Sequence, residues 1–278
     1  MFDLVAGTST GGILAAALAA KKVGVDGAEE MYRNLGKKVF GYSFGNYTRG
    51  AIRTLQQEGF YNGQQLREIV EQVVGEHVEL DSLHDLRVKV FVVSAQKRDG
   101  RLGPFIFRTY GSRDEEEGQH HRYYRGSTDG RGITFAQALL ATSAAPGYLP
   151  SVQIGEHEFI DGGVVANNPT EIAIFEAMRL WPGRRISVVS LGTGAPVVES
   201  WQAAKASKKA PAAASLSSST LPPMHKSVEP LYVRLNPPCP AFDLAACKDE
   251  ELDQMVAQAK AYLAHGDLLK EVVDLLSA

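Results

Sequence analysis

Phe2-Asp3-Leu4-Val5-Ala6-Gly7-Thr8-Ser9-Thr10-Gly11-Gly12-Ile13-Leu14 is the stretch on which the reading of this chain turns. A short apolar run from Phe2 to Ala6 predicts a strand. Gly-x-Ser-x-Gly follows it at once, and the small apolar residues from Ile13 to Ala20 predict a helix. Strand, tight turn and helix in that order make a nucleophile elbow. The serine of such an elbow occupies a strained turn, so Gly7 and Gly11 are expected to be glycine because a β-carbon two residues from the serine would collide with it. Ser9 is then expected at the carboxyl end of a strand and the amino end of a helix. Free backbone N–H groups there, including that of Thr10, favour a developing oxyanion. The other Gly-rich turn found between a strand and a helix is the phosphate-binding P-loop. Gly7 and Gly12 have its separation, but Ile13 and Leu14 stand where it needs Lys and Ser or Thr. Nothing would neutralise the phosphates, so that reading fails.

Outward from the elbow, strands alternate with helices. Gly63 to Gly75 places Leu66, Ile69, Val70, Val73 and Val74 at the spacing of one buried helical face. Val88 to Ala95 is β-branched and nearly continuous in apolarity, as in a strand covered on both faces. Phe105 to Tyr110 resumes strand character after a turn at Asp99-Gly100. Helices are predicted over Phe135 to Thr142, ending before Pro146, and after Asn168-Pro169. Ile186 to Leu191 again reads as a buried strand, stopped by Gly192-Thr193-Gly194. Glu250 to Leu276 reads as one or two amphipathic helices broken near Gly266. The alternation predicts an α/β fold with a mostly parallel central sheet and helices on both faces. A single domain over residues 1–278 is expected. Ser112 to Tyr124 reads as a polar surface loop, and about 203–227 as an Ala/Ser/Pro/Lys-rich low-complexity insert whose lysines are better solvated than lipid-bound.

The bulk properties narrow the function. Of 278 residues, 44% are hydrophobic and 22% charged, the balance of an ordinary globular protein. A net charge of −3 speaks against a nucleic-acid binder and gives no electrostatic pull toward anionic membranes. No run approaches the roughly 20 apolar residues of a membrane span, and Met1 is followed by a strand rather than a basic leader. The expected location is cytoplasmic, with any membrane contact peripheral. Cys239 and Cys247 do not form a C-x-x-C pair and are expected to be reduced. No metal or other cofactor is expected.

A serine hydroxyl needs a base. Asp161, in Phe159-Ile160-Asp161-Gly162-Gly163, places a carboxylate at the end of a short apolar strand, followed by glycines that allow close approach of backbone or substrate. On its own, Asp-Gly reads more readily as an Asx turn. Strand alternation puts His157 on the same face as Phe159 and Asp161, although a histidine there is more often packed or solvated than catalytic. His225 and His265 are the late histidines that a Ser-Asp-His triad would require, but one falls in the low-complexity insert and the other in a terminal helix.

Gly7-Thr-Ser-Thr-Gly-Gly12, Ala141-Thr-Ser-Ala-Ala-Pro146, Asp161-Gly-Gly163, Asn167-Asn-Pro169 and Val189-Ser-Leu-Gly-Thr-Gly194 occur in the order of the signature stretches of the patatin-like phospholipase family. With Leu231-Tyr-Val-Arg-Leu-Asn236 resembling its late strand, the chain resembles that family from residue 1 to about residue 240. It is most similar to the branch of patatins and calcium-independent phospholipases A2. The resemblance implies a patatin-like α/β/α fold and a serine acyl hydrolase acting on lipid esters at a membrane or micelle surface. It also implies a Ser-Asp dyad, with Ser9 as nucleophile, Asp161 taking its proton and Thr10 donating to the oxyanion. Family members carry an Asp-Gly-Gly-Gly-x-Arg-Gly loop ahead of the elbow that supplies most of the oxyanion hole, and Asp129-Gly-Arg-Gly132 is only a faint likeness placed after it. The expectation is therefore an N-terminally truncated chain, either a fragment of a larger enzyme or a shortened relative that is a catalytically inactive lipid-binding or regulatory module. Lipid class, acyl position and oligomeric state are not readable from the sequence.

Overall fold

The computed structural model describes residues 2–41, 61, 63–111, 125–126, 132–196, 231–239, 247–264 and 267–277. The chain divides into two compact units, residues 1–173 and 174–278. The polar loop at 112–124, the insert near 203–227, Asp129 to Arg131, Gly266 and the histidines at 120, 121, 225 and 265 lie outside the described residues.

The first unit is organised on strand β2 (Lys89–Arg98). Val90, Phe91, Val92, Val93, Ser94 and Ala95 are all buried in succession, so both faces of the strand are covered, as its unbroken apolar run predicts. One edge of β2 pairs antiparallel with β3 (Arg101–Arg108) through the Asp99-Gly100 turn. Both turn residues have positive φ, 49° and 71°, the backbone that Asp-Gly favours in a tight hairpin. The other edge is shared. β1 (Leu4–Thr8) runs parallel to β2 from Leu4↔Lys89 to Thr8↔Val93. β6 (His157–Asp161) then takes over antiparallel, from Ser94↔Asp161 to Lys97↔Glu158. β1 and β6 therefore run toward each other along one edge and end head to head between Val93 and Ser94. β5 (Val152–Ile154) pairs antiparallel with β6, and β4 (Arg125–Gly126) pairs parallel with β3.

The α/β class is as expected, but the sheet is mixed rather than mostly parallel. Two of its connections are tight turns, at Asp99-Gly100 and Gly155-Glu156, and a tight turn can only join antiparallel neighbours. Phe105, Phe107 and Phe159 form a cluster with centroids 4.9–5.1 Å apart. They stand opposite Ser94, Val92 and Gln96 respectively, on one face of β2. Aromatic pairs of this kind contribute about 0.5–1.5 kcal/mol each, and here they anchor β6 two residues before Asp161.

Helices complete the unit. α1 (Thr10–Ala15) follows β1 directly and continues as a π-helical turn over Ala16–Ala20. α2 (Val25–Phe40) packs against α3 (Gly63–Val74), whose buried residues Leu66, Ile69, Val70 and Val74 keep the predicted spacing. α4 (Phe135–Thr142) opens with a capping box, in which Thr134 and Gln137 satisfy each other's backbone N–H. Its other residues are apolar nearly all round, and only Gln137 is not buried. It packs on β2, β5, β6, α1 and α3. α5 (Gly163–Ala166) follows β6, and α6 (Thr170–Leu180), most of which belongs to the second unit, begins just after Pro169.

In the second unit, β7 (Ser187–Leu191) pairs parallel with β9 (Leu231–Leu235), and β8 (Ala195–Pro196) pairs with β10 (Pro238–Cys239). β7 is shallower than its sequence predicts, with only Ser190 buried and Leu191 75% exposed. Its described pairing is along one edge only, with β9. The C-terminal stretch forms two helices, α7 (Asp249–Ala264) and α8 (Leu268–Ser277). Among the described residues, no helix is long and apolar enough to cross a membrane.

Candidate active site

The head-to-head ends of β1 and β6 bring together two strand-to-helix turns. In the first, Ser9 has φ 57° and ψ −134°, a conformation that L residues rarely adopt and that is sustained at a cost of about 1–3 kcal/mol. Ser9 precedes α1 as its N-cap, where a serine hydroxyl ordinarily folds back onto the helix N–H groups. It makes no such bond here. The twisted backbone turns the hydroxyl outward, where it donates to Asp161 Oδ2 at 2.6 Å, across 152 residues of sequence.

The second turn supplies the carboxylate. Asp161 ends β6 and is only 5% exposed. Its backbone N–H donates to Ala144 O at 2.9 Å, and its Oδ1 accepts from Gly163 N–H at 2.6 Å. Burial raises its pKa above the ordinary carboxylate value, against the smaller opposing pull of the Ser9 hydroxyl and the Gly163 N–H. A buried carboxylate that holds protons more tightly than usual, bonded to a serine hydroxyl, can accept that hydroxyl's proton.

The glycines divide unevenly. A β-carbon on Gly7 would lie 2.3 Å from Gly11 O, and one on Gly162 would lie 2.1 Å from Val93 O, so backbone occupies the space of a side chain at both positions. Gly11 does not have the steric role expected of it, because a β-carbon there meets nothing within 4 Å. It lies inside α1 on the exposed side, where glycine meets no obstacle. The close approach expected after Asp161 is the backbone contact at Gly162.

Several contacts near the pair were not read from the sequence, although Thr8 and Thr142 lie in stretches that carry the family resemblance. Thr142, fully buried at the end of α4, accepts from Ser9 N–H at 2.9 Å through its hydroxyl, which also bonds Val93 O. Its carbonyl accepts from Gly162 N–H at 3.2 Å. Thr8 Oγ1 donates to Ala166 O at 2.9 Å, tying β1 to α5. Ser94 Oγ lies 2.8 Å from Ile160 O and 3.0 Å from Ala141 O. A buried Thr or Ser in an apolar helix or strand reads equally as packing, so its bonding partners emerge only in three dimensions.

The remaining candidate residues fall apart. His157 lies at the opposite end of β6, exposed, with its ring edge-on to Phe159 at a centroid distance of 6.5 Å. Four residue steps along the strand separate it from Asp161, about 13 Å at the usual rise. Among the described residues, only Ser9 and Gly163 donate to the Asp161 carboxylate. Gly12 N–H and Ile13 N–H both reach Ser9 O, at 2.8 and 3.4 Å. The N–H of Thr10, one residue after the serine, has no acceptor among the described residues, as expected at the first position of a helix.

Residues 1–174 match the family model of patatin, described as patatin-like phospholipase. Over 289 residues the chain is 31% identical to calcium-independent phospholipase A2-gamma of Rattus norvegicus, covering 100% of this chain and 36% of that protein. It is 33% identical over 239 residues to phospholipase A I of Arabidopsis thaliana, covering 70% of this chain and 18% of that one. Over 185 residues it is 33% identical to a cGAMP-activated phospholipase of Vibrio cholerae, covering 64% and 46%. The chain thus spans about a third of the length of the mammalian relatives it matches.

Proposed function

Because the chain belongs to the patatin-like phospholipase family, we propose that it is a serine acyl hydrolase that cleaves fatty acyl esters of phospholipids or related lipids. The observation that carries this reading is the 2.6 Å bond from the Ser9 hydroxyl to the buried Asp161 carboxylate, with no histidine between them. The named relatives are phospholipases, which supports the lipid ester as substrate.

In this reading Ser9 Oγ attacks the ester carbonyl while its proton passes to Asp161 Oδ2. The carbonyl π electrons move onto oxygen, and the Thr10 N–H donates to the oxyanion. Collapse of the tetrahedral intermediate breaks the bond to the alcohol oxygen, which takes the proton back from Asp161 and leaves as the deacylated lipid. Water then attacks the acyl-Ser9 ester, passing a proton to Asp161, and the fatty acid departs as Ser9 recovers its hydrogen. An ordinary aspartate, with a pKa of about 3.9, is a weak base for a serine hydroxyl. Burial moves Asp161 in the direction this step requires, and Gly163 N–H fixes the oxygen that does not face Ser9.

The test is hydrolysis of a short-chain chromogenic ester and of phospholipid micelles by the 278-residue chain beside Ser9→Ala. Turnover that disappears in Ser9→Ala supports the hydrolase. Folded wild-type protein without turnover rejects it for this chain and favours the lipid-binding alternative.

A further inference from the structure

We propose that Thr142 is the positioning residue of the dyad, holding the backbone of Ser9 and the turn after Asp161 from a single point. The inference rests on the hydrolase reading above and extends it to a residue that reading does not use.

β2 changes partner between Val93, opposite Thr8, and Ser94, opposite Asp161. At that junction the regular ladder is interrupted, and buried backbone groups there need other partners. Thr142 reaches it from the end of α4. Its one hydroxyl proton goes to Val93 O, and its lone pair receives Ser9 N–H at 2.9 Å. Its own carbonyl receives Gly162 N–H at 3.2 Å. Three chain segments that must stay in register for Ser9 Oγ to face Asp161 Oδ2 thus converge on one fully buried residue, two on its hydroxyl and one on its carbonyl.

The Ser9 backbone is the part in greatest need of such a hold. Its φ of 57° is unfavourable for any residue with a β-carbon, and its hydroxyl does not cap its own helix. The Thr142 contact opposes relaxation of that turn toward an ordinary N-cap, in which the hydroxyl would leave Asp161. Only the hydroxyl of Thr142 can do this; its methyl group packs but cannot bond.

The experiment compares Thr142→Val, which keeps the shape and removes the hydroxyl, with Thr142→Ser, which keeps the hydroxyl and removes the methyl group. Both are made in the full chain and assayed beside Ser9→Ala, with thermal unfolding to verify folding. Carbon-13 NMR titration of Asp161 is followed in the same proteins. Thr142→Val is expected to lose about tenfold to a hundredfold in kcat, the scale of a displacement of about 1 Å, with KM within about twofold. As the bond from Ser9 weakens, one influence holding the Asp161 pKa down is lost. The Asp161 titration and the acid limb of kcat/KM are then expected to move to higher pH. Thr142→Ser is expected to restore kcat to within about threefold and to return the titration to its wild-type position.

Folded Thr142→Val with unchanged kcat and unchanged Asp161 titration overturns the proposal. So does a Thr142→Ser variant as impaired as Thr142→Val, since packing alone would then explain both. If Thr142→Val does not fold, wild-type behaviour of Thr142→Ser supports the proposal and impairment of it overturns it. Wild-type protein without Ser9-dependent turnover instead removes the hydrolase reading. The NMR titration then decides by itself whether Thr142 sets the Ser9–Asp161 pair.

Discussion

Two strand-to-helix turns face each other across the end of one strand edge, and they are built on opposite principles. The turn at Ser9 is strained, with φ 57°, and leaves its serine half-exposed. The turn at Asp161 is relaxed, with Gly162 near helical values at φ −62° and ψ −20°, and keeps its carboxylate buried. Under the proposed dyad the nucleophile must be presented, and backbone twist presents it. The proposed carboxylate base must be deprived of water, and burial does that without any twist. Glycine serves each turn differently. Gly7 makes room for the chain that follows the serine, whereas Gly162 makes room for the neighbouring strand's carbonyl at Val93.

The largest expected effect breaks the chemistry on either side of this comparison. Ser9→Ala and Asp161→Asn should each lower kcat/KM by at least about a thousandfold, since members of a catalytic unit fail together. Ester hydrolysis by both single variants and the double variant measures this, and additive losses would show that the two residues do not act as one unit. Next in size is Gly162→Ala. Its β-carbon meets backbone rather than a flexible side chain, so the sheet must shift, at a cost of about 3 kcal/mol or more by the upper range for overpacked sites. Denaturant unfolding tests this, and a midpoint equal to wild type would show that the turn can relax outward.

The third prediction separates burial from catalysis. The raised pKa of Asp161 means that the folded chain binds a proton more tightly than the unfolded one. The stability this contributes is present below the ordinary carboxylate pKa and is lost as pH rises through the folded pKa. Asp161→Asn removes that loss, because its amide can still accept from Gly163 N–H and donate to Ser9 Oγ. Asp161→Asn should therefore gain stability over wild type as pH rises from acid to neutral. Unfolding midpoints across that range measure the gain, and a difference that stays flat or shrinks contradicts a buried, proton-retaining Asp161.

The smallest effect is at Gly11. With open space around its β-position and a place in a helix, Gly11→Ala should raise stability by about 0.5–1 kcal/mol. A loss of stability would show that the second glycine of the Gly-x-Ser-x-Gly pattern is sterically required after all.

Much of this architecture was legible in the sequence, and the rest fails for identifiable reasons. Strand, turn and helix around Ser9 could be read because strain at a serine leaves a local mark in the flanking residues, although that mark did not show which glycine carries it. The helix over Phe135–Thr142 could be read because its apolar run stops before Pro146, whereas the Thr134–Gln137 capping box that fixes its start emerged only with the structure. The direction of β6 relative to β1 could not, since it depends on which edge of β2 remains open once β3 has paired. The Thr142 contacts were equally hidden, because a hydroxyl in an apolar helix has the same sequence appearance whether or not it finds Ser9 N–H. Local chemistry is written in neighbouring residues, whereas register between distant segments is not.

The head-to-head meeting of β1 and β6 also bears on how the chain folds. The β2–β3 hairpin closes across a two-residue turn, so its pairing is local in the chain. Docking of β1 and of β6 on its other edge each requires closure of a long loop, which carries an entropic penalty and slows folding. The hydroxyl and the carboxylate, 152 residues apart in sequence, meet only after both closures are complete. Recovery of ester turnover during refolding should therefore lag behind recovery of sheet circular dichroism, making the site a late reporter of the finished fold.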